Sequence, residues 1–195
     1  HQVPRVISDL SRLNTLTEFD LKQIGYTYDT ITDKWHSSDM ACDFVYLGNH
    51  PSPFMLPNGL QAVYAYNTWK EAGDKNALPF LTVAEAESGI PPASAVFLLF
   101  SLGKDDETQL FGLLRNHTNI VLVLQAETEL PMMEMKTFFF RLDAAGIHTP
   151  VIISCQYNAP EDAFTLFSSI DAGGLFIDGY GDGIMLFNPQ VSQAK

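Results

Sequence analysis

From Ala95 onward the chain alternates short apolar runs with longer segments of helical period, and few folds accept that order. Ala95 to Phe100 and Ile120 to Leu124 are uninterrupted apolar stretches, as expected of strands covered on both faces in a parallel sheet. Between them, Asp105 to Arg115 places Leu110, Leu113 and Leu114 on one side of a helix. Pro131, tolerated in a first helical turn, opens a second helix along which Met132, Met135, Phe139 and Leu142 repeat until Gly146. Val151 to Ser154 reads as a strand. Pro160, Glu161 and Asp162 begin a third helix, with acids at its positive end, that carries Phe164, Phe167 and Ile170. Leu175 to Ile177 reads as the last strand. Parallel strands joined by helices cross over with one hand, which leaves a (β/α) barrel or an open doubly wound sheet.

The first half is less regular. Val3 to Leu10, Asp43 to Leu47, Leu60 to Tyr66 and Leu78 to Val83 read as strands. Thr15 followed by Glu18 suits a capping box for a helix stopping at Gly25, while Tyr26 to Ala41 fits no single pattern. Short helices are expected at Thr68 to Ala72 and at Ala84 to Glu87. Eight candidate strands favour a TIM-like (β/α)8 barrel. With 195 residues against about 250 for a typical barrel, it must be abbreviated, and the helix-free stretch Asp43 to Tyr66 is the expected irregularity. No linker divides the chain, so residues 1–195 are expected to form a single α/β domain.

The charge balance narrows the partners. Twenty-three acidic against 11 basic residues give a net charge of −12, which repels nucleic acid and anionic lipid. No apolar run is long enough for a membrane span, and no signal peptide is visible. Cys42 and Cys155 are too few and too far apart for a disulfide scaffold or a Cys/His metal motif, so a cytoplasmic location is expected. The chain opens at His1 without an initiator Met, as expected of a fragment of something longer.

The densest motif is Gly173-Gly174-Leu175-Phe176-Ile177-Asp178-Gly179-Tyr180-Gly181-Asp182-Gly183-Ile184. Its spaced glycines suit a tight turn, and polar residues beside a glycine loop are common at α/β sites. If Leu175 to Ile177 is a strand, Asp178 lies at the C-terminal mouth of the barrel. It would then share that mouth with Asp9, Asn49, Asn67, Ser101, Gln125, Glu127 and Gln156. Asp178 and Asp182 could form a carboxylate pair for acid/base or metal chemistry, with Glu127 a further ligand candidate. The competing reading, which the lack of a neighbouring His favours, is that the aspartates cap a turn through backbone N–H groups.

The same run, extended back to Phe167, resembles the GcpE/IspG family, the iron–sulfur 4-hydroxy-3-methylbut-2-enyl diphosphate synthases of the non-mevalonate isoprenoid pathway. The catalytic barrel of that family ends in a related G-L-L-L-x-E-G-I-G-D-T-L-R pattern. An inserted domain of its three-domain members ends in G-x-L-x-x-D-G-x-G-D-G-I. Gly25-Tyr26-Thr27-Tyr28, Asp33-Lys34-Trp35-His36, Tyr64 to Lys70 and Phe138-Phe139-Phe140 also resemble that inserted domain. The resemblance implies a parent oxidoreductase with a [4Fe–4S] cluster held by three cysteines and a glutamate in another domain. A ferredoxin or flavodoxin would be its electron donor, and this piece would serve as a spacer touching the other domains of the same enzyme.

Within this chain the resemblance implies no cofactor, no metal and no catalytic residue. A diphosphate site needs several cations, or a glycine loop feeding a helix N-terminus. On these strand assignments only Lys70 and Lys104 closely follow strands, and Met185 stands where the catalytic barrel has Arg. The fragment alone is therefore expected to be inactive. The alternatives are a ligand- or metal-binding domain with its own site at the acidic mouth, or a docking surface for the electron donor.

Overall fold

The computed structural model describes residues 3–188. Eight parallel strands close into a barrel: β1 (Arg5–Asp9), β4 (Phe44–Gly48), β5 (Gln61–Ala65), β6 (Leu78–Thr82), β7 (Val96–Leu102), β8 (Ile120–Ala126), β9 (Val151–Gln156) and β10 (Gly183–Phe187). Closure is made by β1, which pairs with β10 on one side and β4 on the other. The expected abbreviated TIM-like barrel is thus the observed fold.

Strand alternation sorts the apolar side chains into two layers. Ile7, Val63, Leu78, Phe80, Phe97, Val123, Ile152 and Met185 pack together, with Phe44 and Tyr46 against them, and fill the barrel interior. Their neighbours along the strands, such as Leu98, Phe100, Leu122, Leu124 and Ile153, belong to the larger cluster under the helices. The helices on that side are α4 (Glu107–Asn116), α5 (Pro131–Ala144) and α6 (Glu161–Ile177). Phe138 of α5 is fully buried against Phe100 and Phe111.

Abbreviation falls where the sequence shows it. No helix joins β4 to β5, and the helices after β5 and β6, α2 (Tyr66–Ala72) and α3 (Val83–Ala86), are one or two turns long. In place of a full helical layer, α1 (Glu18–Gln23) leads into an antiparallel hairpin, β2 (Tyr26–Asp29) and β3 (Lys34–Ser37). Buried Tyr26 donates its hydroxyl to the Cys42 carbonyl at 2.8 Å, while Trp35 stacks on Phe54. The capping box of α1 is built on Thr17 and Asp20 rather than Thr15 and Glu18.

The C-terminal assignment needs correction. Leu175 to Ile177 is not a strand but the last turn of α6, and the eighth barrel strand is Gly183–Phe187. Leu175 is buried in helical register with Ser168 and Ala172. The helix then ends in a Schellman motif. Tyr180 N–H donates to the Leu175 carbonyl at 2.9 Å and Gly179 N–H to Phe176 at 3.0 Å, with Gly179 at φ 85°.

Candidate functional site

Moving the last strand reverses the place of the glycine–aspartate turn. It precedes β10 instead of following a strand, so it lies on the N-terminal floor of the barrel, opposite the mouth where such folds carry chemistry. Asp178 is therefore not at the mouth. Its carboxylate meets Lys136 of α5 at 2.7 Å, an ion pair that tethers the end of α6. Beside it, Gly174 brings α6 so close to Met132 that a Cβ would stand 2.5 Å from that sulfur.

Asp182 joins three strands at the floor. Its N–H donates to the Val151 carbonyl at 2.7 Å, its Oδ2 accepts the Val151 N–H at 2.9 Å, and its carbonyl accepts the Arg5 N–H at 2.8 Å. Gly183, the next residue, leaves no room for a side chain: a Cβ would lie 2.5 Å from both the Arg5 carbonyl oxygen and Ile152 Cδ1. Met185 is buried in the barrel interior.

Glu127 is at the other end, just past β8. A strand of that length separates it from the aspartates by about 15 Å or more, so the three candidates do not form one site. Glu127 Oε2 meets Lys104 at 2.6 Å, and its Oε1 accepts from Gln125 at 3.3 Å, whose amide also donates to Ser101 at 2.8 Å. Of the two cations expected near strand ends, Lys104 is thus paired, and Lys70 lies 4.2 Å from the centre of the Tyr66 ring.

Sequence reasoning missed one mouth cation. Arg12, three residues past β1, stands 4.3 Å from the centre of the Phe187 ring at the end of β10. The signal was its short distance from a strand end. Elsewhere the rim is electronegative: burial first, then the charges of Asp9 and Glu85, pushes the Tyr46 hydroxyl up to about 12. Asp9 is itself buried and accepts the Ser11 N–H at 2.9 Å.

The donor set does not suit an iron–sulfur cluster. Cys42 packs with the hairpin cluster and Cys155 with the helix-side cluster, and both are buried. Among the described residues, no three His, Cys, Asp or Glu side chains are grouped to hold a metal. Burial pushes the Cys155 thiol up to about 11, so at pH 8 only about one molecule in a thousand carries the thiolate. We expect neither cysteine to react with a thiol reagent at pH 8 within hours, and both to react once urea unfolds the chain. Fast labelling of the native protein would contradict the packing described. Among the described residues no helix is long and apolar enough to cross a membrane.

Comparison with known proteins supports the resemblance carried by the terminal motif. A 4-hydroxy-3-methylbut-2-en-1-yl diphosphate synthase (flavodoxin) of Parabacteroides distasonis is 25% identical over 147 residues, covering 75% of this chain and 24% of that protein. Its namesake in Bacteroides fragilis is 27% identical over 148 residues, 75% of this chain and 23% of that protein. The one in Bacteroides thetaiotaomicron is 23% identical over 147 residues, 75% and 24% respectively. The chain spans about a quarter of the length of these curated relatives. No protein-family model matches it, and no solved structure does.

Proposed function

We propose that this chain is the inserted barrel domain of a longer iron–sulfur 4-hydroxy-3-methylbut-2-enyl diphosphate synthase, and that it acts as a spacer rather than a catalyst. The observation carrying this reading is a barrel similar to one quarter of such enzymes whose mouth is poor in the cations a diphosphate needs. Of the cations near the strand ends, Lys104 is neutralised by Glu127 while Lys70 and Arg12 lie against the rings of Tyr66 and Phe187, and the neighbouring rim carries Asp9, Tyr46 and Glu85. On this reading Asp178 and Asp182 hold the barrel floor together. The cluster belongs to another domain of a cytoplasmic enzyme, fed by the flavodoxin that the relatives' names specify. A barrel is rigid because its strands close on themselves, and rigidity is what a spacer between a substrate site and a cluster requires.

The test is deletion of this chain from the full-length enzyme. We expect the shortened protein to keep its cluster absorbance but to lose most turnover as a monomer. Full monomeric turnover would sink the spacer role. Turnover abolished by Asp178→Asn or Glu127→Gln, with folding intact, would point to a site of its own instead.

A further inference from the structure

Helix α6 presents the wrong residues to solvent for a helix that ends at water. It buries Ser168, Ala172 and Leu175 against the barrel and exposes Leu166 by 56%, Ile170 by 53% and Ile177 by 89%. With Ala163 and Gly173 these fall at positions 163, 166, 170, 173 and 177, a three–four spacing that draws one line along the outer face. Neighbouring α5 contributes Met133 and Phe140, exposed by 56% and 53% and seven residues apart. Between the first turn of α5, with the loop before it, and the middle of α6 lies a groove of about 420 Å³, whose lining includes Leu130, Met132, Met133, Tyr157, Phe167 and Ile170. Scattered apolar residues are ordinary on a protein surface. Two adjacent helices with aligned apolar stripes and a groove between them mark a contact surface.

We propose that the α5/α6 face seats a helix from a neighbouring domain of the same polypeptide, with an apolar stripe flanked by lysine or arginine. This rests on the reading of the chain as one domain of a longer enzyme. The spacing, with small residues at 163 and 173, admits a closely packed helix along α6. Charge selects the partner. Helix α6 carries Glu161, Asp162 and Asp171 and no Lys or Arg. The two cations of α5 are paired, Lys136 with Asp178 and Arg141 with Glu107 at 2.8 Å. A second copy of this chain would set acid against acid, whereas a basic rim would complement it. The relatives are about four times longer than the matched region, so the rest of such a polypeptide is the surface closest to hand.

Thiol labelling read site by site through peptide mass spectrometry tests this, and both native cysteines of this chain are buried. Leu166→Cys and Ile170→Cys are made separately, in the 195-residue chain and in the full-length polypeptide, and the rate of maleimide attachment is compared. We expect each site to react at least tenfold more slowly in the full-length protein. Adding Glu161→Lys with Asp162→Lys should restore most of the rate. Rates within twofold of each other, protection that survives the charge reversal, or a reading frame that encodes no further domain would overturn the proposal. So would protection within the isolated chain accompanied by dimers in sedimentation. A protected full-length protein without synthase activity would instead refute the proposed function and leave the docking face standing.

Discussion

Replacing Gly183 with valine is expected to lower the stability of the chain by about 3 kcal/mol or more, because the new side chain must push apart the strands that close the barrel. The nearest obstacle is backbone: the Arg5 carbonyl oxygen lies 2.5 Å from the position of the Cβ, with Ile152 Cδ1 at the same distance on the other side. Arg5 and Gly183 are paired residues of β1 and β10, so neither strand can yield without disturbing their register. Urea unfolding measures the loss. For a chain of this size the accompanying fall in Tm is roughly 6–12 °C. Gly179→Ala is the matched control. It has open space around it, and its positive φ alone limits the cost to about 1–2 kcal/mol. If the two variants were equally destabilised, the tight closure at Gly183 would not be what holds that corner.

This pair of glycines also shows what the sequence carries and what it does not. The apolar runs from Ala95 to Ser154 are legible as strands because each is bounded by a helix with clear periodicity, and the structure has strands β7, β8 and β9 there. Leu175 to Ile177 is too short to show any period, and two glycines before it look like a break. In the folded chain Gly174 is instead the helical residue that admits Met132, and Leu175 is the last fully buried residue of α6. That one shift moves Asp178 and Asp182 from mouth to floor. Phe164, Phe167 and Ile170 fit a helical face, but periodicity does not reveal which side the barrel takes. Small Ser168 and Ala172 pack inward, so Phe167 and Ile170 are left outside. Tyr26 to Ala41 resists assignment because its hairpin presents one half-buried face to α1 and the 49–60 loop, with Tyr26 the only fully buried ring.

The second large effect expected is at Phe97, where truncation to alanine should cost about 3–5 kcal/mol. Phe97 is 1% exposed inside the barrel, edge-on to Phe44 at 5.2 Å, in a layer where Tyr46 and Phe80 lie 4.6 Å apart. Strands on all sides prevent the hole from collapsing, so both the transfer free energy and the contacts of its lining are lost. Ile170→Ala in the isolated chain removes apolar bulk from the outer face of α6, and there the change should stay within about 0.5 kcal/mol. Urea unfolding of both variants gives the comparison directly. A cost below about 1.5 kcal/mol at Phe97 would mean that the interior is loosely filled and has room for a ligand. The expected large cost would instead favour a solid barrel that meets its surroundings through its outer faces, as a spacer must.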